Sequence, residues 1–260
     1  MSRSAPDIVI VGSGNVGFHV GQKLYRQGFE IKQVFSKTPE HGKSLAEKVN
    51  CSFTTELSEV VSDADVYLLC VKDDVMQEVV DALNIKDKIV LHTAGSVQRN
   101  ISARTDIHQG VLYPLQSFNR NTEVNWENVP VFVDGDNDHV ISIATQIGQA
   151  LSNNVQRAND EQRMSIHIAA VFANNFSNHC LAIGQCLLEE HGYDFSVLKP
   201  LMNTTFQRLL TTKPFDVQTG PAIRGDVNTV DKHLKALSTQ SDWKELYERM
   251  SDDIKKLHRK

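Results

Sequence analysis

Apolar residues in the first 160 positions gather in short segments, unbroken at Ile8–Val11 and Val66–Val71. Ile8–Val11, Phe29–Phe35, Cys51–Thr54, Val66–Val71, Lys88–His92, Val129–Val133 and Asn154–Arg157 each read as a strand. Between them lie segments of helical pattern: one beginning near Gly17 and stopping at Gly28, then His41–Val49, Leu57–Ala64, a helix capped by Asp74 and running to Leu83, and His139–Leu151. Continuous apolar runs, rather than strict alternation, belong to strands covered on both faces. Strand–helix alternation of this kind predicts right-handed crossovers and a parallel sheet with helices on either side. The pattern changes near Asn159. Asp160, read as a cap, opens a long helix to Glu190, and Val197–Thr211, Thr229–Thr239 and Ser241–Leu257 read as further helices. Pro214, Gly220, Pro221 and Gly225 mark the longest loop between them. The expected class is therefore α/β: a Rossmann-type domain over residues 1–158, then an all-helical domain over 159–260. No internal repeat or low-complexity segment interrupts it.

The first segment runs directly into glycines spaced G-x-G-x-x-G, at Gly12, Gly14 and Gly17, with Ser13, Asn15 and Val16 between them. A strand before and a helix after are the context this pattern needs to hold a dinucleotide. Gly12 permits the tight turn, Gly14 lets backbone approach a pyrophosphate, and Gly17 lets the helix pack on the strand. Unpaired N–H groups at the helix start then face the phosphates.

The end of the second strand discriminates between dinucleotides. An acid about 20 residues beyond the glycines bonds the ribose 2′-hydroxyl of NAD. Here the chain reads Val34-Phe35-Ser36-Lys37-Thr38, with no acid before Glu40. Ser36 and Lys37 supply a donor and a positive charge suited to a 2′-phosphate, so NADP is expected over NAD. Val71 and Lys72, and Gly95 and Ser96, also stand at carboxyl ends of strands, where open α/β sheets bind ligands. They are assigned to the cofactor cleft, with Ser96 toward substrate; simple solvation is the competing reading for Lys72.

Composition narrows the class without changing it. With 40% hydrophobic and 23% charged residues the chain has the make-up of a globular protein, and its net charge of -5 leaves no basic footprint for nucleic acid or an anionic membrane surface. No apolar run approaches the roughly 20 residues of a membrane span, and Met1–Pro6 lacks the core of a signal peptide. Cys51, Cys70, Cys180 and Cys186 form no C-x-x-C pair, which points away from disulfides and metal and toward a reducing cytoplasm.

Three longer strings carry a resemblance: Tyr113-Pro114-Leu115-Gln116-Ser117-Phe118, His167-Ile168-Ala169-Ala170-Val171-Phe172-Ala173-Asn174-Asn175-Phe176, and Thr219-Gly220-Pro221-Ala222-Ile223-Arg224-Gly225-Asp226. With them the chain resembles, over nearly its whole length, a family pairing a Rossmann-like domain with a C-terminal domain of unknown function 2520. That family sits in the superfamily of pyrroline-5-carboxylate reductase and the 6-phosphogluconate and 3-hydroxyacid dehydrogenases. The resemblance implies oxidoreductase chemistry on a nicotinamide dinucleotide and a homodimer formed through the helical domain; it supplies no substrate.

Candidate chemistry lies in the same strings. His167, Asn174 and Asn178 are spaced seven and four apart, close to one face of a regular helix. Buried amides and imidazoles need partners, so such a stripe points to substrate or to inter-helix bonds. His167 is the general acid/base candidate because imidazole titrates near neutrality, and Asn174 is grouped with it as catalytic. The lysine–asparagine pair of the 3-hydroxyacid dehydrogenases does not carry over, since the fourth residue after His167 is Val171. Asn178, Gln116, Ser117 and Arg224 are read as substrate-binding; Arg224 can grip a carboxylate, the competing reading being an Arg224–Asp226 pair. His179 and His233 are weaker candidates. Lys255, Lys256, Arg259 and Lys260 read as a solvated helix end.

The function these residues predict is hydride transfer, dependent on NADP, to or from a small carboxylate-bearing carbonyl, imine or alcohol. A pyrroline-5-carboxylate reductase-like imine reductase is the enzymatic alternative. A non-catalytic NADP-binding sensor or scaffold is the alternative of another class.

Overall fold

The computed structural model describes residues 5–258, so Arg259 and Lys260 of the expected solvated end lie outside the described residues. Eight strands form one sheet: β1 (Ile8–Val11), β2 (Ile31–Phe35), β3 (Ser52–Thr54), β4 (Val66–Leu69), β5 (Ile89–His92), β6 (His108–Pro114), β7 (Val131–Gly135) and β8 (Val155–Arg157). Their order is β3-β2-β1-β4-β5-β6-β7-β8. All neighbours run parallel except β6 and β7, which pair antiparallel, a departure from the wholly parallel sheet expected. The first six strands follow the doubly wound dinucleotide-binding order.

Strand alternation sorts the core. Ile8, Ile10, Leu68 and Leu91 point to one face, which α1 (Asn15–Arg26), α2 (Pro39–Lys48) and α4 (Asp138–Leu151) cover with Leu24, Leu45, Val140 and Ile147. Val9, Val11, Tyr67, Leu69 and Val90 point to the other, against Val79 and Val80 of α3 (Met76–Ala82). Residues on both faces of β1 are wholly buried, which is why its sequence shows a run and not an alternation.

The structure corrects several local expectations. Leu57–Ala64 is only a 3-10 turn over Leu57–Glu59. Asp74 caps nothing: it lies in a 3-10 turn, Asp73–Val75, that leads into α3 without a side-chain cap. β6 is a strand outside those expected, and Tyr113 and Pro114 end it, with Pro114 opposite Val131. A strand end tolerates the missing proline N–H. The cap of α5 (Asp160–Ala170) is Asn159, not Asp160. Asn159 accepts from the Gln162 N–H and Gln162 reaches back, a complete capping box. The long helix to Glu190 is also not uniform. A π-helical stretch, Val171–Phe176, separates α5 from α6 (Ser177–Glu189). The one-face placement of His167, Asn174 and Asn178 assumed 3.6 residues per turn, and the wider stretch breaks that assumption.

Two compact units divide between Ala173 and Asn174, so α5 belongs with the sheet. The second unit contains α6, α7 (Lys199–Leu209), α8 (Pro221–Arg224), α9 (Val227–Ala236) and α10 (Ser241–Leu257). Asp226 caps α9 by accepting from the Thr229 N–H and hydroxyl. α10 packs on α8 and α9.

Candidate active site

The carboxyl ends of β1, β2, β4, β5 and β6 share one edge of the first unit, and the sequence candidates of that unit collect there. The glycines divide by job. A Cβ on Gly12, whose φ is +108°, would lie 2.6 Å from the Cys70 carbonyl oxygen, and one on Gly17 would lie 2.1 Å from the Gly12 oxygen. Both are excluded by the fold itself. Gly14 is different: its nearest atom would be 4.0 Å away, so packing does not require it to be bare. It is exposed, stands at the N-cap of α1 and offers no side-chain cap, which leaves the first N–H groups of α1 open to a ligand. A bare, open N-terminus after a strand fits a pyrophosphate.

At the end of β2, Ser13 donates to the buried Ser36 hydroxyl at 2.7 Å, and Ser36 donates to the Thr38 carbonyl oxygen at 2.8 Å. Ser36 thereby shapes the turn that presents Lys37, which is exposed. Asn15 donates to the Phe118 carbonyl oxygen at 3.0 Å, tying the glycine loop to the segment after β6. Val71 is half-buried and Lys72 exposed after β4. Beside them Ser96 donates to the Asp73 carboxylate at 2.6 Å. Gln116 and Ser117 are exposed beyond β6, where Gln116 accepts from the Ser117 N–H. Burial pushes the Cys70 thiol up to about 12, so it is no nucleophile at neutral pH.

The centre of this edge is a pair of side chains that sequence spacing does not connect. The Tyr113 hydroxyl lies 3.1 Å from His167 Nδ1, with the rings edge to face. Gly95 sits against both: a Cβ there would be 2.7 Å from His167 Nδ1 and 2.8 Å from the Tyr113 oxygen. Gly95 is therefore the residue that admits the pair. Tyr113 is buried, and desolvation holds its phenol above the usual tyrosine range, opposed in part by the nearby Arg163 charge. A phenol that keeps its proton can donate to Nδ1, which places the imidazole proton on Nε2.

Arg163, Asp160 and His92 add polar chemistry near the pair that the spacing of His167, Asn174 and Asn178 does not single out. Arg163, four residues before His167 and so on its face of α5, is only 1% exposed. It donates to Asp160 at 2.7 Å and to the Val97 carbonyl oxygen, while its Nε and Nη1 have no partner among the described residues. Asp160 also accepts from the Arg99 N–H, so it anchors the strand-end loop and does not cap. His92, the last residue of β5, accepts from the Ala94 N–H and is fully buried. Burial above all, helped by the Arg163 charge, brings its pKa down to about 3. The four-residue spacing of Arg163 and His167 was the one available signal.

The remaining candidates lie in the second unit. Asn174, Asn178, His179 and Arg224 are exposed there. The Asp226 carboxylate is held by Thr229, and the Arg224 charge helps keep it below the usual carboxylate range. His233 Nδ1 is 2.8 Å from the Tyr247 hydroxyl, a bond between α9 and α10.

Comparison with known proteins gives the family. Residues 7–95 match a family described as NADP oxidoreductase, coenzyme F420-dependent, and residues 129–254 match the Domain of unknown function (DUF2520). The crystal structure of a candidate NADP oxidoreductase from Bacteroides fragilis is 36% identical, with a TM-score of 0.88 over 96% of this chain and 98% of that one. The chain belongs to the DUF2520 family of NADP oxidoreductases. Its cofactor is NADP, as the match of residues 7–95 to the NADP-oxidoreductase model indicates. The fold extends further: pyrroline-5-carboxylate reductase from Streptococcus pyogenes superposes with a TM-score of 0.64 at 13% identity, covering 96% and 98% of the two chains. A curated relative, glucose-fructose oxidoreductase domain-containing protein 2 of Xenopus tropicalis, is 29% identical over 116 residues. That match spans 43% of this chain and only 29% of the relative.

Proposed function

We propose that this protein is an NADP-linked reductase of a small carboxylate-bearing carbonyl or imine, with Tyr113 and His167 handling the proton. The nicotinamide, when bound, supplies the hydride. Reduction of C=O or C=N moves an electron pair onto oxygen or nitrogen, and that atom must then take a proton. The Tyr113–His167 pair is the observation that carries the reading: it offers that proton beside Gly95, on the edge that bears the glycine loop. Gly12, Ser13, Gly14, Asn15, Val16 and Gly17 would hold the pyrophosphate; Lys37 would meet the 2′-phosphate across the turn built by Ser36; Val71, Lys72 and Gly95 would border the nicotinamide. Ser96, Gln116 and Ser117 are the substrate contacts we assign in this unit; Asn174, Asn178 and Arg224 are candidates of the helical unit, each proposed by itself.

The imine form of the reading draws on the likeness in fold to pyrroline-5-carboxylate reductase. It also suits a chain in which Val171, the fourth residue after His167, leaves no lysine–asparagine pair of the 3-hydroxyacid dehydrogenase kind. NADPH oxidation by the full chain against cyclic imino acids and 2-oxo acids separates the two substrate classes. We expect turnover confined to one class; tight NADPH binding with no oxidation across both would instead indicate a sensor.

We also assign a homodimer and a cytoplasmic setting. The helical unit leaves Leu201, Phe206, Leu210 and Phe215 more than half exposed, surface that a second copy would cover. All four cysteines are free, as in a reducing compartment, and no helix of the described residues is long and apolar enough to cross a membrane.

A further inference from the structure

A cavity of about 390 Å³ lies against α1, away from the glycine loop, between α1, the end of α2 and the segment around Arg120. Four cations line it: Lys23 and Arg26 from the later turns of α1, Lys48 from the last turn of α2, and Arg120. Glu123 is the one carboxylate in the lining. None of the four cations makes a hydrogen bond or ion pair among the described residues. What distinguishes them is that all four meet in one cavity.

Arg120 gives the cluster its direction. Its guanidinium lies over the Phe18 ring at 4.3 Å, and Lys48 Nζ stands 5.8 Å from the same ring. Both terminal nitrogens of Arg120 are shut off from solvent and have no acceptor. Desolvation lowers its pKa below the usual arginine range. A desolvated guanidinium with unused donors is costly unless an anion answers it. Its planar fork matches a phosphoryl group, and the three neighbouring cations supply the charge that such a group neutralises.

The cavity is not the dinucleotide site seen from behind. α2 starts at Pro39 beside Lys37 and ends at Lys48, a helix length of roughly 15 Å from the nucleotide end. Lys23 and Arg26 likewise sit in the last turn of α1, whose first turn follows the glycine loop.

We propose that this cavity is a second anion site, for a small molecule carrying a phosphate or diphosphate group, independent of the dinucleotide site. The test is calorimetric titration of inorganic pyrophosphate into the full chain with NADP+ already saturating, so that the glycine loop is filled. We expect saturable one-to-one binding, weakened about tenfold or more by Arg120→Gln and also by Lys23→Gln on the solvent side of α1. Lys43→Gln, whose lysine pairs with Glu47 outside the cavity, should leave it unchanged. Should Arg120→Gln fail to fold, Lys48→Gln combined with Lys23→Gln carries the same expectation. Absence of saturable heat would overturn the proposal. So would binding that survives the cavity variants but is lost with Lys37→Gln, because that assigns the anion to the nucleotide site. Citrate binding as tightly as pyrophosphate would overturn the phosphoryl assignment.

Discussion

The sheet unit and the helical unit solve burial in different ways. In the sheet unit both faces of each central strand are sealed, and Leu68, Leu91 and Tyr67 are fully buried. Among the described residues of the helical unit only Ala222, Val230 and Leu237 are buried apolar residues, while Leu210 is 76% and Leu201 65% exposed. A domain that closes its own core can carry a bare glycine loop and a buried polar pair at one edge. A helical array that leaves its large apolar side chains in water has surface still to cover.

That contrast can be broken first at its strongest point. Leu68→Ala should cost about 2–5 kcal/mol in denaturant unfolding, because the sheet core cannot collapse around the gap. Leu210→Ala, made in dilute protein, should stay within about 0.5 kcal/mol. In light scattering the second change should instead lower the mass if Leu210 belongs to a contact between copies. Comparable losses from both would show that the helical unit is packed as tightly as the sheet.

The second contrast lies within the glycine loop. Gly17→Ala forces a Cβ to within 2.1 Å of backbone and should cost about 1–3 kcal/mol together with NADPH binding. Gly14→Ala has open space around it and should leave the melting temperature alone while weakening NADPH about tenfold. Equal losses of stability would remove the distinction between a packing glycine and a ligand glycine.

A smaller effect tests the buried polar layer. His92 has a folded pKa of about 3, below the ordinary value of about 6.5, so its neutral form is favoured by folding. The stability it contributes is fully present above pH ~6.5 and falls as pH drops toward 3, by about 1.4 kcal/mol per unit. Urea titrations between pH 7 and pH 4.5 should show that slope, and His92→Asn should flatten it. An unchanged slope would mean that His92 is not the buried acid sensor.

What the chain reveals in sequence depends on distance along it. The glycine loop is legible because strand, turn and helix start are contiguous, and each glycine answers a local need. β6 hides because Gly110 and the polar pair His108-Gln109 interrupt its apolar pattern, and Pro114 reads as a breaker although it sits harmlessly at the strand end. The cap of α5 was misplaced by one position, yet Asn159 with Gln162 three residues on is a capping box that the sequence displays. Nothing in the string Val171–Phe176 announces a π-helical stretch, so a spacing argument that crossed it lost its register. The Tyr113–His167 pair joins residues 54 positions apart and depends on α5 lying beside β6. Pairing of that kind comes from packing, and only Gly95, small where a Cβ would collide with both, marks it locally.

The most direct measurement is the steady-state rate of NADPH oxidation by Tyr113→Phe on the substrate class that the wild type turns over. Removing the phenol oxygen leaves ring and packing in place but takes away the proton-bearing partner of His167. We expect kcat to fall about 100-fold or more with the dissociation constant for NADPH unchanged. A variant with wild-type kcat would contradict it.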